Sequence, residues 1–120
     1  MSRVAVVGAS AKPERYSNRA LRMLQSAGHT PIPVSADGRH IHGLPGYPTV
    51  RAIPDPVDTV SIYLSPEKQE PVIRDILAAA PRRVIFNPGT ENPEVYAELS
   101  RHGIEVQEAC TLVLLSTGQF

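Results

Sequence analysis

Cysteine is almost absent from this chain, with Cys110 standing alone among 120 residues. A single thiol excludes an internal disulfide, fits a reducing compartment and leaves the fold to be held by an apolar core. No stretch approaches the roughly 20 apolar residues of a membrane-spanning helix. The N-terminus runs straight into a strand pattern with no signal-peptide features, so a cytoplasmic protein that contacts no membrane is expected. Net charge is missing as well: 12 basic and 12 acidic residues cancel, which argues against a general nucleic-acid binder. There is no Gly-x-Ser-x-Gly elbow, no Walker loop, no carboxylate pair singled out by spacing and no Cys/His/Asp cluster with metal-ligand spacing. The sequence therefore indicates neither a catalytic residue nor a metal ligand, and no enzyme is expected. Cys110 has acidic and apolar neighbours and no base to ionise it, so it reads as a buried, inert thiol. His29, His40, His42 and His102 fall in turns or at helix ends, where solvated side chains are expected.

What is present is the composition of an ordinary globular domain, 42% hydrophobic and 20% charged, spanning residues 1–120. The pattern starts with Val4-Ala5-Val6-Val7, an apolar run suited to a buried parallel strand, which stops at Gly8-Ala9-Ser10. Ala20, Leu21, Leu24 and Ala27 then recur at helical spacing. A helix over 17–27 follows, with Ser17 or Asn18 as its cap and Gly28 as its end. Pro31-Ile32-Pro33-Val34 reads as a second strand, pushed to the sheet edge by its prolines. Residues 35–56 are rich in Gly and Pro and form connecting structure, with a short edge strand near 47–50.

Residues 58–64 form a central strand. Ser65-Pro66-Glu67 signals a helix start, and Val72, Ile73, Ile76, Leu77 and Ala80 form its apolar face; Pro71 places the regular helix from that residue onward. Val84-Ile85-Phe86 is the next strand. Asn92 caps a further helix with Pro93 in its first position, and His102-Gly103 ends it. Residues 104–106 form the last strand, and for 111–115 the periodicity fits a helix or a strand equally. This alternation predicts an α/β fold: a Rossmann-like three-layer sandwich around a mostly parallel sheet of about five strands.

Ligands bind such sheets beyond the carboxyl ends of the strands, at the point where the strand order reverses. Three loops are expected there: 8–17, 65–67 and 87–92. In the first, a turn at Gly8-Ala9-Ser10 leading into a helix suits an anion, with backbone N–H groups and the Ser10 hydroxyl as donors and Lys12 or Arg15 as charge. The same residues also fit a plain strand-to-helix turn. The three-glycine dinucleotide pattern is absent, since Ser10 and Pro13 stand in the second and third places. Charge favours the anion: residues 1–53 carry seven Lys/Arg against two acids, and residues 54–120 carry five against ten. In the third loop, Asn87-Pro88-Gly89 can offer backbone N–H groups and the Asn87 amide to a ligand, or serve as a rigid connector. Ser35-Ala36-Asp37-Gly38-Arg39 follows the second strand, where a ribose or its phosphate is read. Asp37 favours a free hydroxyl and Arg39 a phosphate.

Taken together, Val4-Ala5-Val6-Val7-Gly8-Ala9-Ser10, Pro13-Glu14-Arg15-Tyr16-Ser17, Pro33-Val34, Ile41-His42-Gly43-Leu44-Pro45, Val57-Asp58-Thr59-Val60 and Ile85-Phe86-Asn87-Pro88-Gly89-Thr90-Glu91-Asn92 resemble the small stand-alone coenzyme A-binding proteins. These are similar to the CoA-binding domain of the succinyl-CoA synthetase α subunit and of acyl-CoA synthetases. The closing segment 108–118 is similar to one branch of that family. The resemblance implies a domain that binds the ADP part of coenzyme A or an acyl-CoA. The pyrophosphate would lie at Gly8, Ala9, Ser10, Lys12, Arg15, Tyr16 and Ser17, and the adenine between the loops after Val34 and after Leu64. Ser35, Arg39, Ser65, Pro66, Asn87, Pro88 and Gly89 complete the expected contacts. Relatives carry Asn-Pro or basic residues where this chain has Ser35-Ala36-Asp37, so Arg39 or His40 is left to meet the 3′-phosphate. The phosphorylated histidine and grasp domain of the ligases lie outside the matched region, so no catalysis is implied. A NAD(P)-binding redox regulator and a partner-dependent ligase subunit are the alternatives, and a homodimer or an unidentified protein partner stays open.

Overall fold

The computed structural model describes residues 1–120. Five strands, β1 (Arg3–Val7), β2 (Thr30–Val34), β3 (Thr59–Ile62), β4 (Arg83–Phe86) and β5 (Glu105–Glu108), form one all-parallel sheet in the order β2-β1-β3-β4-β5. Helices α1 (Tyr16–Ser26), α2 (Glu70–Ala79), α3 (Tyr96–Arg101) and α4 (Thr111–Ser116) cover its two faces. The chain moves outward from β1 to β2, then returns to place β3 on the other side of β1. The order therefore reverses between β1 and β3, and the Rossmann-like arrangement is present.

Strand alternation divides the core. Ala5 and Val7 of β1 face the larger apolar cluster, with Val60, Ile62, Val84 and Phe86 from neighbouring strands and Ile73, Ile76 and Leu99 from α2 and α3. Val4 and Val6 face the opposite way, onto Leu21 and Leu24 of α1 and Ile41 of the β2–β3 connection. With both faces covered, β1 has no solvent side to mark with polar residues, which is why it reads as one apolar run. Its neighbours on the α1/α4 face are more polar: Ser61, Thr111 and Asn87 are all buried there and bonded to one another.

Several boundaries differ from expectation. Helix α1 begins at Tyr16, one residue early, and neither Ser17 nor Asn18 caps it. Both are buried within its first turn, and Asn18 donates instead to the Ser10 carbonyl at 2.8 Å. The edge strand near 47–50 is reduced to a single bridge between Val34 and Tyr47, followed by a 3-10 turn over Val50–Ala52. Asn92 does not cap with its side chain, which donates to Gln69 Oε1 at 3.1 Å; a 3-10 turn over Pro93–Val95 precedes α3. Residues 111–116 resolve as helix α4. Edge placement of β2 and the start of α2 next to Pro71 agree with the sequence reading.

Candidate functional site

The carboxyl ends of the strands gather the three expected loops around one cleft of about 580 Å³. Ser10, Lys12, Arg15, Tyr16 and Ser17 form one wall, Tyr63 and Ser65 a second, and Pro88, Gly89 and Thr90 the third. Gly8 sits where these meet, at φ +86°, and a Cβ there would come within 3.1 Å of the Tyr63 carbonyl carbon and oxygen. The fold thus demands glycine for the approach of β1 to β3, whatever the ligand.

Donor inventory separates the three loops. The amides of Gly8 and Ala9 both donate to the Val34 carbonyl, at 2.9 and 3.1 Å, and so are consumed by the turn. That corrects the expectation of an anion cradle at these two residues. The free donors lie further on: the amides of Tyr16 and Ser17 open α1 on the cleft and have no carbonyl a turn behind them to meet. The Ser10 hydroxyl oxygen accepts from the Lys12 amide at 3.1 Å, which leaves its proton to donate outward. Lys12 and Arg15 form no ion pair. Helix dipole, open amides and unpaired cations therefore converge on one spot, the composition of an anion site.

The loop after β4 behaves differently. Asn87 is buried, donating to the Ser61 hydroxyl and the Ile62 carbonyl at 2.9 and 2.8 Å while its Oδ1 accepts from the Thr111 amide at 2.8 Å. Its amide is saturated and faces no ligand, a correction to its assignment as a contact. Gly89 N–H donates to Glu91 Oε1 at 2.9 Å and Thr90 N–H to the Asn87 carbonyl at 2.9 Å, so this loop supplies shape more than donors. Tyr63 was not legible as a site residue. Burial pushes its phenol up to about 12, and its hydroxyl has no partner within bonding distance, although the Thr111 and Ser61 hydroxyls lie near enough to oppose the rise. It stays protonated in the floor of the cleft.

Two hollows adjoin the cleft. One, of about 350 Å³, lies between Ala9–Lys12 and Ser35–Arg39. There the Asp37 carboxylate accepts from the Ser35 hydroxyl at 2.9 Å and from Arg39 Nε at 2.8 Å. The Ser35 hydroxyl and the Arg39 amide and guanidinium hold the carboxyl below the usual carboxylate range, so Asp37 is ionised and already balances Arg39. The other hollow, of about 500 Å³, is apolar and runs from Val34 and Ser35 past Thr49 and Val50 to Leu64, Lys68 and Val72. It lies between the loops after Val34 and after Leu64, and its walls suit a flat heterocycle.

Of the remaining expected contacts, Pro66 faces a separate acidic hollow beside Glu67, Glu70 and Glu94, away from the cleft. Cys110 is half-buried where β5 passes into α4, more accessible than the core thiol expected. His40, His42 and His102 are exposed as expected, although His42 also bonds Asn18 and His102 the Glu98 carbonyl; His29 is half-buried and accepts from the Ser2 amide. The structure shows no cluster of three or more His, Cys, Asp or Glu side chains fit to hold a metal. No helix is long and apolar enough to cross a membrane.

Comparison with known proteins places this geometry. The model of the CoA binding domain matches residues 2–116. A crystal structure described only as an uncharacterized protein is 41% identical, with TM-score 0.93, covering 100% of this chain and 98% of that one. The curated protein YneT of Bacillus subtilis, itself uncharacterized, is 29% identical over 84% of this chain and 75% of its own. The dinucleotide-forming acetyl-coenzyme A synthetase 1 of Ca. Korarchaeum cryptofilum is 31% identical with TM-score 0.75, over 90% of this chain but 25% of that protein.

Proposed function

The chain belongs to the CoA binding domain family, and from that premise we propose that it binds coenzyme A or an acyl-CoA through the ADP moiety, with no catalysis of its own. The observation that carries this reading is the continuity of three chemically distinct compartments. Open amides at the start of α1 with Lys12 and Arg15 suit a pyrophosphate, the hollow at Ser35–Arg39 suits a ribose, and the apolar hollow ending at Leu64 and Val72 suits an adenine. Beyond the pyrophosphate, the cleft continues between Tyr63 and Pro88–Thr90, which leaves room for the pantetheine arm.

Nothing lining the cleft pairs a base with a nucleophile: its polar side chains are the Ser10, Ser17, Ser65 and Thr90 hydroxyls, the Tyr16 phenol and the Lys12 and Arg15 cations, while the Tyr63 hydroxyl is buried. Such groups bind and orient a charged ligand but provide no general base near neutral pH. The decisive experiment is a thermal shift of the full chain with coenzyme A, ADP and NAD at equal concentrations. A ligand that binds only the folded state stabilises it by an amount set by its affinity. Coenzyme A is expected to give the largest shift. A flat response to millimolar coenzyme A overturns the reading, and a larger shift with NAD redirects it to a nicotinamide dinucleotide.

One further observation supports a role beside a partner. The similar segment of the Korarchaeum synthetase makes up a quarter of a larger chain, so a partner supplying the reacting groups would make this chain the CoA-holding part of a ligase. Co-purification of a nucleotide-grasping subunit at low salt is the expected result, and its absence removes that reading.

A further inference from the structure

The anion loop is held only in part by its own residues, through the Lys12 amide on the Ser10 hydroxyl and the Arg15 amide on the Lys12 carbonyl. Asn18, fully buried in the first turn of α1, donates Nδ2 to the Ser10 carbonyl at 2.8 Å, and its Oδ1 receives Arg22 Nε at 3.1 Å. Arg22 reaches on to the Pro13 carbonyl at 3.0 Å, so the two side chains grip both ends of the segment 10–13. The last member of this brace comes from outside the loop and the helix: His42 Nε2 lies 2.9 Å from the same Asn18 Oδ1. Since the Ser10 carbonyl can only accept, the Asn18 amide nitrogen must face Ser10 and its oxygen must face His42. His42 Nε2 therefore carries the proton and donates.

His42 is placed there at a backbone cost. It has φ +54°, followed by Gly43 at φ +72°, in a two-residue turn closed by reciprocal bonds between Ile41 and Leu44. Positive φ at both central positions is glycine and asparagine territory, and histidine occupies it under mild strain. Ile41 beside it is buried among Val4, Val6, Leu21 and Leu24, which fixes the turn against α1. On its other flank the same connection is tied to the ribose-side hollow: Gly46 packs so tightly on the Arg39 carbonyl that a Cβ would overlap it, and the Ser35 amide donates to Tyr47 at 3.1 Å.

We propose that His42 is a positioning residue that couples the two halves of the ligand site, setting the phosphate-side loop 10–13 through Asn18 while its own connection carries the ribose-side segment 35–39. This rests on the CoA-binding reading for its ligand but not for its geometry. A preformed loop removes ordering cost from binding, so loss of the brace weakens affinity without loosening the core.

The test compares the full chain as wild type, His42→Gly and His42→Gln, with coenzyme A as the probe. Glycine relieves the positive φ and removes the donor, whereas glutamine keeps an N–H donor at similar reach and keeps the strain. The two substitutions should separate stability from binding. Melting temperature without ligand is expected to be highest for His42→Gly and lowest for His42→Gln. Affinity is expected to be retained by His42→Gln and reduced about tenfold by His42→Gly. In the ligand-free protein, amide exchange over residues 10–15 should accelerate in His42→Gly alone. Affinities that follow the melting order, or exchange over 10–15 that is unchanged in His42→Gly, overturn the proposal. If the wild type binds no coenzyme A, the functional reading falls and the exchange comparison alone decides the brace.

Discussion

The two ends of the sheet are built from the same five strands yet treat charge in opposite ways. At the amino ends three arginines are engaged. Arg3 Nε donates to the Pro56 carbonyl at 2.9 Å, Arg82 grips both Asp58 carboxylate oxygens at 3.0 and 3.2 Å, and buried Arg83 lies 4.5 Å from the Phe120 ring centre. At the carboxyl ends, Lys12 and Arg15 have no carboxylate partner and face open amides. Parallel topology accounts for the asymmetry. Each crossover helix following a strand begins at the carboxyl end, so positive dipole ends collect there, and cations added to them repel one another until an anion arrives. The amino ends receive the helix C-termini, where arginines are electrostatically welcome. One end is closed by the protein; the other is left for a ligand to close.

The strongest way to break the contrast is to remove Asn87, the buried link between the carboxyl ends of β3 and β4 and the start of α4. Asn87→Ala strands the Thr111 amide and the Ile62 carbonyl, and is expected to lower unfolding free energy by about 3 kcal/mol, read from urea melts. Gly8→Ala comes next. With φ +86° and backbone 3.1 Å away, it is expected to cost about 2 kcal/mol and to weaken coenzyme A binding as β1 and β3 shift apart, measured by calorimetry alongside melting.

Arg15→Ala sharpens the comparison without touching stability. Coenzyme A affinity is expected to fall about tenfold, or about 1.4 kcal/mol, while Arg101→Ala, outside the cleft, changes it less than about twofold. Equal effects would dissolve the distinction between the ends. The smallest effect belongs to the closed end. Arg82 beside Asp58 holds that carboxyl below its ordinary value. Its contribution is therefore present above the unfolded value near about 4 and is lost as pH falls through the lower folded value. Asp58→Asn should remove this part of the acid dependence, an effect of under about 1 kcal/mol for a pair so close to solvent, and leave ligand binding at neutral pH unaltered.

The strand-helix alternation, the edge position of β2, the reversal beside β1 and the gathering of the loops at 8–17, 65–67 and 87–92 were legible from apolar period, proline and glycine placement and the charge split. These are local signals, because a strand buried on both faces and a helix buried on one impose their period on neighbouring residues. An apolar hollow does lie between Val34 and Leu64. Side chains that answer to a distant partner were not legible. Asn87 looked like a ligand contact but meets Ser61 and Thr111, each more than twenty positions away. Asn18 looked like a helix cap but holds the anion loop, and His42, exposed as expected, also completes that brace. Tyr63 passed as one more strand residue until the sheet placed it in the cleft floor.

The sequence by itself determined the fold class, the end of the sheet where the cleft opens and the sign of the charge gathered on the N-terminal half, since burial pattern and net charge are properties of neighbouring residues. Tertiary structure decided which donors are free. The amides of Gly8 and Ala9, next to the most suggestive turn in the chain, are spent on Val34, while those opening α1 remain available. A hydrogen bond is settled by which acceptor comes within about 3 Å, and only the packed sheet brings residues 8 and 34 that close.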